Sequence, residues 1–392
     1  MYFKKLTAGE PMFQTYLFPI SYAFMAFPVA ALFFTLPFLI VQYRRHGYIN
    51  KIRALVLYLL LLYLLNAFFL VLLPLPDSRH NAAPSGSMIQ LVPLQFIQDI
   101  LHNTPITRSD PSSYLNVLSG ADFLLAAFNV LLTVPFGMFL GYYFRTRWVV
   151  CIILSFALSL LFEITQITGI YGFFDHPYRI FDVDDMITNT LGGMIGFKLS
   201  LWISGLLPRI EKLDSQEDLS AKKVTYTRRA LAFLLDSILL LAVTILLNLL
   251  SLRISWWAVS MVYFLSIPLF TGGRTFGKWV VRIRLRSEDG GPARPWRVWA
   301  RYGLLYGVLG GMNSLGPDSS FFVYIGKALA AVVKMVILLA DLAFFIHLVL
   351  RLIKRDRPLI YEELSRTRNG ITWPERHQAA VNETLNKTVI NE

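Results

Sequence analysis

Apolar residues run along this chain in blocks longer than the helices of a water-soluble core need, and the polar residues fall mostly between the blocks. A hydrocarbon layer of roughly 30 Å takes about 20 apolar residues in helical form. Windows of that grade cover 16–42, 54–75, 123–144, 148–171, 186–207, 230–252 and 326–350, with a shorter one at 256–270. A ninth and weaker stretch, 298–315, contains Arg301, Tyr302 and several glycines, so a short span, a re-entrant element and an interfacial helix all fit it. The pattern predicts an all-α polytopic membrane protein of about nine transmembrane helices in two bundles. One stretch breaks the helical habit. In "WVVRIRLRSEDGG", apolar residues alternate with Arg282, Arg284 and Arg286, which predicts a short amphipathic strand or hairpin on the cytoplasmic face.

The bundles are separated by the polar segment 208–223, which divides a first module, 1–207, from a second, 224–368, and a hydrophilic cytoplasmic tail, 369–392. The first module holds five spans and one large loop, the second three or four. The first apolar window can span and lacks a small-residue cleavage site, so it is expected to be retained. No internal repeat relates the halves.

Composition agrees: 55% of the 392 residues are hydrophobic and 16% charged, and mean hydropathy is +0.52. Lysine and arginine cluster after spans one, three and five (Arg44, Arg45, Lys51, Arg53; Arg145, Arg147; Arg209 to Arg229), which makes those loops cytoplasmic. The alternation places the N-terminus outside and the C-terminus in the cytoplasm. The net charge of +12 then faces anionic lipid, and no folded basic domain suggests nucleic acid. A single cysteine, Cys151, excludes an internal disulfide and a thiolate metal cluster. No cofactor or metal is expected.

Candidate chemistry gathers at the outer end of the first module. Glu163 and Gln166 are three apart on one helical face, and Asp182, Asp185 and Asn189 share a face of the next span while Asp184 points elsewhere. Asn129 lies at a comparable depth, and Arg179 is the nearby cation. The three aspartates stand where a helix begins, so capping explains part of the cluster. Glu163 is harder to set aside, because an intramembrane carboxylate costs about 2.5 kcal/mol or more unless partnered or neutralised.

In the second module, Gly272 to Lys278 fits the first seven positions of a phosphate loop, but Trp279 replaces the serine or threonine and a span precedes it instead of a strand. Nucleotide binding is excluded on that ground, and the turn is expected to deliver Arg274 and Lys278 to lipid phosphates. Arg229 and Asp236 share a face, as do Lys327, Lys334 and Asp341. An Asp236, Asp341 and Lys334 network would make a proton or cation site; a satisfied buried pair that fixes helix register explains the same residues.

These residues carry two resemblances. "NVLLTVPFG" from Asn129 to Gly137, the Glu163 and Gln166 pair, "RIFDVDDMITNTLGG" with Arg179, Asp182, Asp184, Asp185, Asn189 and Gly192, and "LVPLQFI" at 91–97 together resemble the VanZ-like family over about residues 20–205. That family is similar to the accessory protein conferring low-level teicoplanin resistance, which implies a cell-envelope role at the outer leaflet. "RRALAFLLD", "GGRTFGKWVVRIRLRSEDGG", Arg301 and "DRPLIYEELSRT" resemble the RDD family over about 224–368, with Glu362 where many members carry aspartate. Transport is proposed for some of its members. The favoured function is an envelope protein contributing to teicoplanin-type or envelope-stress resistance by binding membrane lipid headgroups, a lipid-linked wall precursor or a lipoglycopeptide. The alternatives are an ion or lipid transporter using the second module's carboxylates, and an enzyme acting through Glu163, Asp185 and Arg179.

Overall fold

The structure, a computed structural model, describes residues 12–103, 115–213, 223–252, 254–314, 327–353 and 358–372; the tail beyond 372 and most of 208–223 lie outside them. Among the described residues six helices are long and apolar enough to cross a membrane. The expected count of about nine is not confirmed. The helix at 183–203 has the length but carries glycine, threonine and asparagine on buried positions, and the helix at 256–270 is short. The weak stretch 298–315 breaks into a helix ending at Tyr302, a wider helical turn over Gly303–Leu309 and a further short helix.

The chain divides into two units. The first comprises Met1–Thr35 with Asn50–Gln216, the second Leu36–Ile49 with Glu217–Glu392. In the first unit, α1 (Met12–Arg45, to Thr35) and α2 (Lys51–Leu72) lead to β1 (Ile89–Gln90) and α3 (Gln95–Asn103). Then come α4 (Ala121–Tyr142), α5 (Trp148–Ile167), β2 (Phe181–Asp182) and α6 (Val183–Ile203). The two-residue strands pair in parallel, Ile89 with Phe181 and Gln90 with Asp182, and tie the loop after α2 to the entry of α6. Strands so short leave no alternation to read.

α6 packs closely against α4 and α5 because its buried face carries glycine at 192, 193 and 196. A Cβ built on Gly192 or Gly196 would lie 2.1 or 1.9 Å from the carbonyl oxygens of Val130 and Val134, and one on Gly137 would lie 1.9 Å from that of Gly193. Between lipid-facing helices, where no hydrophobic drive remains, such close backbone approach is the main source of association.

The second unit contains α7 (Tyr226–Leu249), α8 (Trp256–Phe270), α9 (Phe276–Val280), β3 (Ile283–Ser287), α10 (Pro295–Tyr302), α11 (Lys327–Ile353), α12 (Ile360–Leu364) and β4 (Thr367–Ile371). β3 is the amphipathic strand the alternation indicates, with Ile283, Leu285 and Ser287 buried. Its partner is the distant β4, antiparallel, with Ile283 opposite Ile371 and Ser287 opposite Thr367. Residues 36–49 group with this unit for a concrete reason. Tyr43 packs with Val224, Leu231, Ala232, Val281 and Ile283. Its ring lies 4.6 Å from the Arg228 guanidinium, which donates to the carbonyls of Gly47, Val281 and Arg282.

Candidate functional site

In the first unit, a polar stripe on α5 meets the start of α6. Ser155, Ser159, Glu163 and Gln166 recur at helical spacing and all are buried. Glu163 is 3% exposed, and its Oε2 accepts from the Asp182 backbone N–H at 2.9 Å. Asp182 is the N-cap of α6, its side chain accepting from the Asp184 N–H at 2.8 Å. The Asn129 amide on α4 donates to Asp185 Oδ1. Thr133, one turn along α4, donates to the Asn189 carbonyl at 2.6 Å, and Asn189 Nδ2 donates to Ser159 Oγ at 2.9 Å. Asn189 Oδ1 is buried without a partner. The charges of Asp185, Asp182 and Arg179 all act on Glu163, and Arg179 also donates to the Leu73 carbonyl at 3.0 Å.

Two members face away from this group. Gln166 donates to the Val71 carbonyl at the end of α2. Asp184, 4% exposed, accepts from the N–H groups of Leu94 at 2.6 Å and Phe96 at 2.8 Å. It thus caps the first turn of α3 from a different part of the chain, where two free amides suit an ionised acceptor. Asp184→Asn replaces one acceptor oxygen by a donor aimed at an N–H. The expected result is a loss of about 1.5–3 kcal/mol from the docking of α3, read as faster amide exchange at Leu94 and Phe96 with exchange in α4 unchanged.

In the second unit, Asp236 accepts from Tyr263 at 2.7 Å, Thr275 at 2.6 Å and the Gly277 N–H at 2.7 Å, so its carboxylate is met by three donors. Glu362 is bridged by two arginines: Arg229 at 3.0 Å and Arg301 at 2.9 Å, with Arg301 also donating to Thr367. Glu362 accepts besides from the Leu359 N–H and Asn369. Burial pushes its carboxyl up, but the Arg301 and then the Arg229 charge outweigh that and hold it below the usual carboxylate range. Lys278 meets the Tyr302 hydroxyl, and burial first and Arg301 second push its ammonium down to about 7.

The VanZ/LLP1 family model matches residues 57–204, and the RDD family model matches residues 224–357. The chain is a fusion of a VanZ-like and an RDD-family module. No curated protein and no solved structure matches it.

The VanZ-like module brings Asn129, Glu163, Asp182, Asp185, Asn189 and Arg179 into one neighbourhood and directs Gln166 and Asp184 to structural contacts. The RDD module brings Arg229, Arg301 and Glu362 together, and Lys278 lies near enough to Asp236 and Glu362 to feel both charges. Asp341 finds a different partner from Asp236, accepting from Asn313 at 2.9 Å. Arg274 stands apart from the Glu362 cluster, in the turn before α9 where its N–H and carbonyl both meet the Thr271 hydroxyl. Sequence reasoning passed over Ser159, Thr133, Tyr263 and Thr275. For Ser159 a signal existed, since it lies four residues before Glu163. For Tyr263 and Thr275 none did, because their partner Asp236 is on another helix. Among the described residues no three His, Cys, Asp or Glu are arranged as metal ligands.

Proposed function

We propose that this membrane protein acts in the bacterial cell envelope, with the VanZ-like cluster opening toward the outer leaflet and the C-terminus cytoplasmic. There it takes the polar headgroup of a lipid, a lipid-linked wall precursor or a lipoglycopeptide, and so contributes to teicoplanin-type or envelope-stress resistance. One observation carries the reading. Glu163 and Asp185 each commit one oxygen internally, to the Asp182 N–H and the Asn129 amide, while Glu163 Oε1 and Asp185 Oδ2 have no hydrogen-bond partner among the described residues. Two such acceptors beside the Arg179 guanidinium suit a ligand with hydroxyl or ammonium groups next to an anionic one. The three donors around Asp236 support a structural task for that carboxylate over an ion path.

Glu163→Gln, Asp185→Asn and Arg179→Ala, each expressed at wild-type level, are expected to lower the inhibitory concentration of teicoplanin toward that of cells lacking the protein. The neutral amides keep the internal contacts but weaken the free acceptor. Unchanged resistance in all three would remove the cluster as the working site.

A further inference from the structure

The RDD module holds a second feature, beside the Asp236 network, with which its wall shares Tyr263 and Thr275. A cleft at the end of α8 is lined by Tyr263, Ile267, Thr271, Arg274, Phe276 and Trp279. Its walls are mostly apolar and partly exposed: Trp279 is 51% exposed, Phe276 43% and Ile267 36%. From Tyr263 to Thr271 the wall descends about 12 Å along the helix, so it runs from the apolar body of α8 to its end.

The mouth of this cleft is cationic without counter-charge. Arg274 lines it, and Arg284 on the outward face of β3 is close enough that burial first, and then Arg286 and Arg274, push its guanidinium below the usual range. Arg286 stands directly opposite Arg368 across the β3–β4 ladder, a like-charge pair that weakens a sheet. Among the described residues no carboxylate pairs with Arg274, Arg284 or Arg286, and the Nε atoms of all three are buried without a hydrogen-bond partner. Arg44 lies over the Trp279 ring at 4.7 Å and adds a further positive charge beside the apolar wall. Arginines gathered in mutual repulsion, with no carboxylate to pair them, are the arrangement that a phosphate monoanion relieves.

We propose that this cleft is a binding site for one anionic phospholipid, its phosphate held by Arg274 and Arg284 and an acyl chain laid along Ile267, Phe276 and Trp279. The phosphate chemistry alone would also admit a soluble phosphate. The exposed apolar wall continuous with the arginines selects the lipid, because a free ion would leave that wall uncovered. The sequence pointed only to a basic turn near lipid; the cleft and the choice of Arg284 over Lys278 come from the fold, which turns Lys278 inward onto Tyr302.

The full chain in a neutral detergent is titrated with phosphatidylglycerol, with diacylglycerol of the same chains, or with inorganic phosphate, and the melting midpoint is followed. Phosphatidylglycerol should raise the midpoint by several degrees in a saturable manner and slow amide exchange from Arg274 to Trp279, while diacylglycerol and inorganic phosphate should do neither. Arg274→Gln with Arg284→Gln should abolish the response; Arg294→Gln, an exposed arginine outside the cleft, should keep it. An equal response to diacylglycerol overturns the role of the arginines. An equal response to inorganic phosphate makes this a soluble-anion site and overturns the lipid. If the double variant does not fold, Arg274→Gln alone and the exchange protection in the unmodified chain decide the matter, and a wild-type response in the former or no protection in the latter refutes the site.

Discussion

Gly196→Val should leave the VanZ-like module unable to close. A Cβ at this position falls 1.9 Å from the Val134 carbonyl oxygen and 2.8 Å from its carbon, and both are backbone atoms that no rotamer change can move. The helices must separate, and with them goes the dispersion contact that holds α4 to α6 in lipid. Overpacking ordinarily costs about 1–3 kcal/mol when side chains can adjust; here they cannot, so the upper end or beyond is expected. Gly192 meets Val130 in the same way at 2.1 Å, and because both lie on one interface their effects should fall short of additive. The Asn129–Asp185 and Thr133–Asn189 links cross that interface, so the polar cluster should come apart together with the fold. The control is Gly205→Val, since nothing lies within 4 Å of a Cβ there. Monodisperse yield after detergent extraction and the melting midpoint report the outcome, and similar behaviour of the two variants would refute the tight crossing.

Arg301→Gln should unseat β4 and α12 from the RDD module. Arg301 and Glu362 are each 4% exposed and pair at 2.9 Å, so removing one partner strands a buried charge. Losses of about 3–5 kcal/mol follow such a break, whereas replacing both partners by apolar residues is often mild. Arg229, at 23% exposure, can still partner Glu362 from its more exposed side, so Arg301→Gln should be worse than Arg229→Gln. The double variant Arg301→Met with Glu362→Leu should recover much of the stability. Amide exchange over residues 367–371 measures it, and protection equal to wild type in Arg301→Gln would contradict the network. Acid provides a second check. The carboxyl of Glu362 is held below its ordinary value, so its contribution is fully present above the unfolded pKa of about 4.3 and is lost as pH falls through the lower folded value. Protection of β4 should therefore persist at pH 5 and fail only in stronger acid.

Several of these features were readable before any coordinates. Glu163 stood out because a carboxylate inside an apolar run is costly unless something holds it, and the Asp182 N–H is part of what does. The strand at 283–287 followed from alternation with a period of two. Glu362 as a meeting point of two arginines did not follow, since Arg229, Arg301 and Glu362 are separated by long stretches of chain and no local spacing links them. Asp184 likewise read as a helix cap, and its grip on Leu94 and Phe96 could be seen only with α3 in place.

By itself the sequence determined what the solvent dictates: that the chain lives in a bilayer, that its polar groups must be gathered or paired there, and which long apolar stretches are helical. Those are consequences of residue type and period, and both are local. Tertiary structure alone decided which polar groups meet and that 36–49 pack with the second unit. It also decided that α6 lies against α4 at backbone contact, too close for any side chain at Gly192 or Gly196. Partner choice depends on where separate helices cross, and a crossing is a property of two surfaces at once, so no single segment encodes it.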